Sequence, residues 1–321
     1  MKRCKLVILG TGGTIAGKSA QASDNIGYTA AQLGIDELLA AIPALDGMGA
    51  FISEQVSQID SKDMGFAVWS RLAERVSHFL ADDDVQGIVI THGTDTLEET
   101  AYFLQRVCQP EKPVVFTCAM RPATALAPDG PQNVMDAVCV ASHPGAHGVL
   151  AVCAGTIHSA LDVQKVHPYK LDAFSSGDAG PVGYVEEGHL RLLRNWPSAQ
   201  TGHASLAIQK EAIWPRVEIV MNYAGASALM VQALVGQGVQ GLVVAATGNG
   251  TIHEALQAGL LAAQAAGVRV VRSTRCLDGH VLPLPGNPIA DSRGLSPVKA
   301  RIALMLDLMA EDTRFSDSAQ A

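Results

Sequence analysis

The sequence is poor in aromatic residues, has no cluster of basic residues and lacks long apolar runs. Aromatic side chains make up 5% of the 321 residues and hydrophobic ones 48%, which predicts a globular chain with an aliphatic core. Lys and Arg total 23 against 31 Asp and Glu. This deficit of basic residues, together with the lack of a basic stripe, argues against a nucleic-acid partner. No run of about 18 apolar residues occurs, so we predict no membrane span.

The cysteines follow no pattern typical of a metal site or a disulfide framework. None of the six forms a CxxC pair, and several lie in apolar, strand-like runs. We therefore predict that they are small buried hydrophobic residues in a reducing compartment, and that no metal is bound. The basic start Met1-Lys2-Arg3 precedes an apolar run too short for a signal peptide. A cytoplasmic location is expected.

Short, β-branched apolar runs alternate with helical patterns along most of the chain. Such runs are typical of strands buried on both faces of a parallel sheet, and the alternation predicts a doubly wound α/β fold. Predicted strands are Lys5–Leu9, Gly87–Ile90, Val114–Thr117, Gly148–Val152, Val217–Met221, Gly241–Ala245 and Val268–Val271. Predicted helices cover residues 64–80, 97–107, 131–142, 226–236, 252–266 and 296–310.

The alternation lapses between about residues 154 and 215, where Gly, Pro and mixed polar residues are frequent. We predict a small irregular or antiparallel addition there, followed by a linker. The expected organisation is a larger N-terminal α/β domain over 1–194, a linker over 195–215 and a smaller C-terminal α/β domain over 216–321. Ligands of such folds bind beyond the carboxyl ends of the strands.

A glycine-rich loop follows the first strand. From Gly12 it matches the phosphate-loop pattern G-x-x-x-x-G-K-S. Loop-forming residues follow Ser19, whereas a phosphate loop opens directly into a helix. We favour a loop that brings backbone amides and the Thr14 hydroxyl to a small substrate, although a simple strand-exit turn explains the glycines equally well.

A second threonine loop follows the strand that ends near Ile90. Thr96 and Glu99 have capping-box spacing, which predicts a helix start at Leu97. Thr94 and Asp95 would then lie between a strand end and a helix start, where backbone amides can stabilise an oxyanion. A purely capping role explains these two residues as well, and His92 is interpreted as a packing residue.

Threonine is a weak nucleophile unless a neighbouring group takes its proton. A desolvated lysine can do so, because burial disfavours the charged amine. Lys165, in the irregular stretch, is a candidate, although most single lysines lie solvated at the surface.

Eight motifs together resemble the bacterial L-asparaginase family, its type II branch in particular, in family order over nearly the whole chain. They begin at Thr11, Ile59, Thr91, Ala119, Asp129, Asp162, Asn222 and Pro297, and read TGGTIAG, IDSKDM, THGTDT, AMRP, DGP, DVQK, NYA and PVKAR.

The resemblance implies hydrolysis of the side-chain amide of asparagine, without a metal or organic cofactor. Thr14 would be the nucleophile with Tyr28 on the following loop, and Thr94, Asp95 and Lys165 would form a second catalytic group. The residues leave open which threonine attacks first; we favour Thr14.

Substrate binding and assembly are also implied by the resemblance. Ser61 would hold the α-carboxylate of the amino-acid substrate, and Asp95 would pair with its α-ammonium. A homotetramer of two intimate dimers is implied, in which a neighbour's C-terminal domain completes each site.

Two segments depart from the family pattern. Lys62 occupies a substrate-binding position where family members typically carry Gln or Glu, and its cation would oppose the substrate ammonium unless it points away. The C-terminal residue that enters a neighbouring site is not evident in 277–294. Asn249 is our choice for it, with Asp278 and Asp291 as further candidates.

Two alternatives remain open at this point. One is an amidohydrolase that prefers glutamine or another amide. The other is a non-catalytic amino-acid sensor, which would need Ser61 and Asp95 but not Thr14, Thr94 and Lys165.

Overall fold

The computed structural model describes residues 5–197, 208 and 212–318, with side chains described as far as residue 311. The chain divides into two compact units, Met1–Lys210 and Glu211–Ala321. Each unit contains its own largely or wholly parallel sheet. The predicted α/β class with two domains is confirmed.

The first unit contains ten strands and four α-helices among its described residues. The strands are β1 (Lys5–Gly12), β2 (Ala50–Ile59), β3 (Val85–Thr91), β4 (Pro113–Thr117), β5 (Gly148–Cys153), β6 (Thr156–Ser159), β7 (Gln164–Lys165), β8 (Phe174–Ser175), β9 (Gly183–Glu186) and β10 (His189–Leu192). The helices are α1 (Ile35–Ala40), α2 (Phe66–Leu80), α3 (Leu97–Cys108) and α4 (Gly130–Ala141).

Eight of these strands form one sheet in the order β10-β9-β6-β5-β4-β3-β1-β2. The five strands from β5 to β2 run parallel, and β6, β9 and β10 add antiparallel pairs. The chain places β2 on one side of β1 and β3 on the other, so the strand order reverses at β1. Such a switch point opens a crevice at the carboxyl ends of the strands.

The central strands are apolar because both of their faces are covered. The side chains of Val7, Ile8 and Leu9 in β1 are fully buried, as are Ile88–Ile90 in β3. Leu6, Ile8, Val89 and Val115 share one cluster with apolar residues of α1 and α4. This rigid sheet holds the loops at its carboxyl edge.

The described residues of the second unit form a four-stranded parallel sheet with three α-helices. Its strands are β11 (Val217–Met221), β12 (Gly241–Ala246), β13 (Arg269–Thr274) and β14 (Ala290–Asp291), and its helices are α5 (Leu229–Gly236), α6 (Glu254–Ala265) and α7 (Pro297–Ser318). Gly267, with φ +92°, follows α6 as the predicted stop. Leu242, Val244 and Leu260 are central to its core.

Several elements were absent from the sequence prediction, among them β2 and α1. The edge strand β2 is largely half-buried and mixes polar with apolar residues, so it lacks the continuous apolar run by which buried strands are recognised. Helix α1 spans only six residues, too few for a helical repeat to be evident. The antiparallel addition predicted after residue 154 is confirmed by β6, β9 and β10.

The cysteine prediction is correct only in part. Cys118 and Cys153 are buried, Cys108 and Cys139 are half-buried, and all the described cysteines are free thiols. Cys276 is exposed, because it lies in the loop that follows β13. Cys4 and most of the predicted linker lie outside the described residues.

Candidate active site

Two threonine loops leave the sheet at the switch point. The β1–β2 pairing changes register between Gly10 and Gly12, and a short 3₁₀ turn over Thr14–Ala16 follows. The loop after β3 carries Thr94 and leads into α3. Since β1 and β3 are parallel neighbours, both loops leave the same edge of the sheet.

Thr14 is paired with Tyr28. The Thr14 Oγ1 and Tyr28 Oη atoms are 2.6 Å apart, and Thr14 is 7% exposed. The segment that carries Tyr28 is closed by two backbone hydrogen bonds between Lys18 and Thr29, each 2.9 Å long. A hydroxyl with a short hydrogen bond to a phenol is positioned to exchange a proton with it.

Thr94, Asp95 and Lys165 form a second cluster. The Lys165 Nζ donates to Thr94 Oγ1 at 2.8 Å and to Asp95 Oδ1 at 2.6 Å. Lys165 lies on the short strand β7, and its side chain is 15% exposed, whereas that of Asp95 is 54% exposed. The Lys165 side chain therefore contacts the buried Thr94 hydroxyl, while its carboxylate partner, Asp95, faces solvent.

Ser61 lies against this second cluster. Its Oγ accepts a hydrogen bond from the Asp95 backbone N–H at 3.2 Å, and its carbonyl accepts one from the Thr96 hydroxyl at 2.8 Å. Because a hydroxyl both accepts and donates, Ser61 keeps a proton that can be offered to an anion. The loop that carries Thr94 thus orients the hydroxyl oxygen of Ser61.

The two threonine loops touch through glycine backbones. Gly13 has φ +83°, and a Cβ atom built on it would overlap the N and Cα atoms of Gly93. A Cβ on Gly93 would in turn overlap the Ser61 side chain. These glycines allow the three segments to approach more closely than side chains would permit.

Comparison with known proteins identifies the family of the chain. The family profile described as "Asparaginase, N-terminal" matches residues 5–198, and the one described as "Glutaminase/Asparaginase C-terminal domain" matches residues 216–316. The chain belongs to the asparaginase family.

Individual relatives cover most of the chain. The "L-asparaginase 2" of Bacillus subtilis (strain 168) is 38% identical over 306 residues, 94% of this chain and 81% of that protein. The "Glutaminase-asparaginase" of Pseudomonas fluorescens biotype A is 38% identical over 327 residues, 99% of this chain and 89% of that protein. A crystal structure described as a probable cytoplasmic L-asparaginase from Campylobacter jejuni aligns with a TM-score of 0.90 at 38% identity, covering 95% of this chain and 94% of that chain.

Lys62, a departure from the family pattern, is turned toward Asp60. Its Nζ lies 2.8 Å from Asp60 Oδ2, and its side chain is 64% exposed. The hydrogen bond with Asp60, followed by Coulombic attraction to Asp60, raises the pKa of Lys62, to which Asp63 and Asp95 also contribute. The ammonium is therefore charged at neutral pH and acts within electrostatic range of Asp95.

Three further predicted candidates lie in the second unit. Asn249 is exposed in the loop after β12, and its Oδ1 accepts a hydrogen bond from Leu282 N at 2.7 Å. Asp278 is exposed, and Asp291 accepts one from Arg293 N at 2.8 Å. Their substrate contacts remain a prediction.

His92 is the packing residue that the sequence predicted. It is fully buried, and its ring makes an edge contact with Phe116 at 5.6 Å between centroids. Burial lowers the pKa of His92 to about 4, so the ring is neutral near neutral pH. Its Nδ1 then donates to the Gly93 carbonyl at 2.7 Å, which braces the Thr94 loop.

Two threonines tie the loops together, a role that the sequence did not predict for either of them. The Thr11 hydroxyl donates to the Thr91 carbonyl at 2.9 Å and links β1 to β3. The helix α3 begins at Leu97 as predicted, but Thr96 makes no side-chain cap, because its hydroxyl bonds Ser61 instead. The density of threonines in both loops was the available signal.

The phosphate-loop interpretation is excluded by the backbone. After the 3₁₀ turn the chain continues as a loop, and the next α-helix begins at Ile35. Lys18 pairs with Glu37 at 3.0 Å.

Among the described residues, no group of three or more His, Cys, Asp or Glu is arranged to hold a metal ion. No helix in the described part of the chain is long and apolar enough to cross a membrane.

We expect Gly13→Ala to reduce kcat at least about tenfold, because a displacement of the Thr14 loop by a fraction of an ångström misaligns the reacting groups. An alanine at this position would also be held at an unfavourable positive φ, which lowers the free energy of unfolding by about 1–3 kcal/mol. Steady-state kinetics and chemical denaturation measure the two effects. Gly47→Ala is the control, because no heavy atom lies within 4 Å of its added Cβ. Wild-type kcat in Gly13→Ala would show that the close contact is not required.

Proposed function

We propose that the protein is an L-asparaginase, which hydrolyses the side-chain amide of L-asparagine to L-aspartate and ammonia through a threonine nucleophile. The observation that carries this proposal is the Lys165 ammonium, 2.8 Å from Thr94 Oγ1 and 2.6 Å from Asp95 Oδ1. A hydroxyl, a cation and a carboxylate at these distances are a proton-transfer group. Simple binding of an amino acid would require only the serine and the carboxylate.

Substrate orientation is proposed to rest on Ser61 and Asp95. The Ser61 hydroxyl, held by the Asp95 amide, offers its proton to the α-carboxylate of the substrate. The exposed Asp95 carboxylate pairs with the α-ammonium. Two opposite charges on a small molecule, recognised by two groups of one cluster, orient its side-chain amide.

In the proposed first step, Thr14 Oγ1 attacks the carbon of the side-chain amide. Tyr28, 2.6 Å away, accepts the threonine proton as its own phenolic proton passes to the amide nitrogen, and the C–N bond breaks. Ammonia leaves, and an ester between Thr14 and the aspartyl group remains. Water then hydrolyses this ester and restores the Thr14 hydroxyl.

The second group is proposed to prepare the site for both steps. Lys165 stabilises negative charge on Thr94 Oγ1 and, after it has released a proton to solvent, can accept the Thr94 proton. Asp95 holds the lysine in position. This arrangement supports proton transfer and water activation near the ester. We retain Thr14 as the first nucleophile because its proton-exchange partner, Tyr28, is not part of an ion pair. The partner of Thr94, Lys165, is paired with Asp95.

The test is ammonia release by the purified protein, with asparagine and glutamine titrated separately. Saturable release from asparagine, with aspartate formed in equal amount, supports the proposal. A folded protein that releases no ammonia from asparagine over a wide concentration range would contradict it.

Glutamine is the second candidate substrate. Relatives named glutaminase-asparaginase are 38% identical to this chain, and one extra methylene changes discrimination by only about 1–3 kcal/mol. We therefore expect side activity on glutamine. A glutamine kcat/KM above that for asparagine would assign the glutamine-preferring alternative. Binding of asparagine without turnover would assign the sensor.

We expect Lys62→Gln to lower KM for asparagine about two- to fivefold with little change in kcat. The lysine cation opposes the substrate ammonium and competes for Asp95 across solvent, where such interactions amount to about 1 kcal/mol or less. Succinamic acid, which lacks the ammonium, provides the comparison, and its KM should stay constant or rise. An equal change in KM for both substrates would show that the charge of Lys62 is not responsible.

Assembly as a homotetramer of two dimers is proposed as well. Exposed apolar side chains in the second unit support it, since Met221, Tyr223, Leu229 and Met230 are 55–73% exposed, and interfaces cover apolar surface of this kind. Light scattering across a dilution series tests the tetramer.

The domain boundaries and the cytoplasmic location are also proposals. Residues 1–194 would form the catalytic domain, 195–215 a linker and 216–321 the C-terminal domain. Family matches over 5–198 and 216–316 support these boundaries. The cytoplasmic location is supported by the relative from Campylobacter jejuni, which is described as cytoplasmic.

A further inference from the structure

Two cysteines meet at the carboxyl edge of the first sheet. Cys118 follows the last residue of β4, and Cys153 ends β5, which pairs with β4 so that Thr117 lies opposite Val152. The two sulfur atoms are 3.2 Å apart, and the residues are 1% and 3% exposed. Neighbouring parallel strands lie about 4.8 Å apart, which is within the Cα spacing that a disulfide accepts. A disulfide would require the sulfurs to close by only about 1 Å.

The backbone on both sides of this pair is tied together. The Asn133 Nδ2 donates to the Cys118 carbonyl at 2.9 Å, and its Oδ1 accepts from Ala154 N at 3.0 Å. The Thr117 hydroxyl donates to the Val152 carbonyl at 3.0 Å. These hydrogen bonds hold the strand ends in register, so the two sulfurs stay in contact and can react with each other.

The pair is also coupled to the second catalytic cluster. The Thr117 carbonyl accepts from His92 N at 2.9 Å, and the chain runs from His92 directly to Thr94. Contact with Cys153, followed by burial, raises the pKa of the Cys118 thiol well above its ordinary value, while Lys165 acts in the opposite direction. Lys165 is therefore within electrostatic range of the Cys118 sulfur.

We propose that Cys118 and Cys153 are an oxidisable dithiol, which a small hydroperoxide converts to a disulfide that slows turnover at the Thr94–Lys165 cluster. The effect on turnover rests on the proposed amidohydrolase function, whereas formation of the disulfide does not. Nothing in the reaction itself uses either thiol, so the dithiol would act on the site only through the strand ends.

The chemistry balances with hydrogen peroxide as the oxidant. One sulfur attacks a peroxide oxygen, an S–O bond forms, the O–O bond breaks, and a sulfenic acid and one water result. The second sulfur then attacks the sulfenic sulfur, the S–S bond forms, and the hydroxyl leaves with the thiol proton as a second water. The two thiols lose two electrons, and the peroxide is reduced to two waters.

Burial determines which oxidants can react. Protonated thiols below the surface react slowly, so exposed Cys276 should be oxidised before the pair. A small neutral peroxide can reach the pair during local opening, whereas glutathione disulfide is too bulky. We therefore expect slow closure by peroxide and no closure by glutathione disulfide.

The test uses the full chain, fully reduced, then treated with hydrogen peroxide, alkylated and digested without reduction. Cleavage on the amino side of Asp129 and Asp136 separates the two cysteines, so mass spectrometry should detect two joined fragments that are about 2 Da lighter than their sum. The kcat for ammonia release should fall about tenfold and recover with dithiothreitol.

Matched variants distinguish this pair from the other thiols. Cys118→Ser and Cys153→Ser should each prevent the cross-link and keep kcat unchanged by peroxide, whereas Cys139→Ser should still form it. Absence of the cross-link in the wild-type chain after complete oxidation of Cys276 would overturn the dithiol. A cross-link with unchanged kcat would overturn its effect on the site. A reduced protein without amidase activity would contradict the proposed function instead, while the cross-link would still decide whether the disulfide forms.

Discussion

Replacing Thr14 by valine should reduce kcat for ammonia release from asparagine by about a thousandfold or more. Valine has nearly the shape of threonine, so the substitution removes the attacking oxygen and leaves the turn over residues 14–16 in place. The substrate then has no nucleophile held next to Tyr28, and loss of a covalent nucleophile typically costs at least this factor. Binding of asparagine, measured calorimetrically, should change little, because Thr14 is not assigned to either substrate charge.

Thr29→Val is the matched control for this substitution. Thr29 is exposed on the same loop, and losing its hydroxyl should leave kcat within about twofold of wild type, as for surface changes away from a site. Tyr28→Phe should fall between the two, because the nucleophile stays but its proton partner is lost. If Thr14→Val retains a tenth of the wild-type kcat while Thr94→Val is inactive, Thr94 is the first nucleophile.

Lys165→Met is the substitution with the next largest expected effect. Methionine approximates the length of lysine but carries no charge and no hydrogen-bond donor, so the contacts of 2.8 Å to Thr94 and 2.6 Å to Asp95 are lost. We expect kcat to fall by about 10²–10⁴-fold, the usual contribution of a positioned acid–base group. Steady-state kinetics on asparagine, with circular dichroism to verify folding, measures the effect.

Two further substitutions define what Lys165 contributes. Lys170→Met makes the same change at an exposed position of the same segment and should leave kcat unchanged. Lys165→Arg keeps the positive charge but cannot give up its proton at ordinary pH. Recovery of most activity in Lys165→Arg would assign an electrostatic role to this residue, and continued inactivity would assign proton transfer. Full activity of Lys165→Met would remove the second cluster from the mechanism.

Much of the fold followed from hydrophobic pattern. Strands β1, β3, β4 and β5 are continuous apolar runs, since a strand covered on both faces has few polar side chains. The edge strand β2 could not be found this way, because its environment is partly solvent and its sequence is correspondingly mixed. Its pairing with β1 depends on backbone hydrogen bonds, which carry little sequence information.

Parts of the site were also predictable. Thr14 and Thr94 each follow a buried strand, and glycine-rich loops at strand ends are where ligands bind in this architecture. The hydrogen bond of Thr96 was predicted incorrectly, because local spacing favours a helix cap and the tertiary contact with Ser61 prevails. The sequence likewise could not determine which way Lys62 points, whereas in the structure its ammonium donates to Asp60.

By itself, the sequence determined the buried strands, the positions of the two threonine loops and, through its motifs, the asparaginase family. Those features depend on short stretches of chain, in which hydrophobic burial and turn geometry act locally. Only the tertiary structure decided which side chains meet. Lys165 reaches Thr94 across 71 residues, and Cys118 reaches Cys153 across 35. The Cys118–Cys153 contact is set by the order of strands in the sheet, since the carboxyl ends of the parallel neighbours β4 and β5 converge only once the sheet has formed. The Lys165 contact depends instead on the position of the short strand β7, which lies outside that sheet.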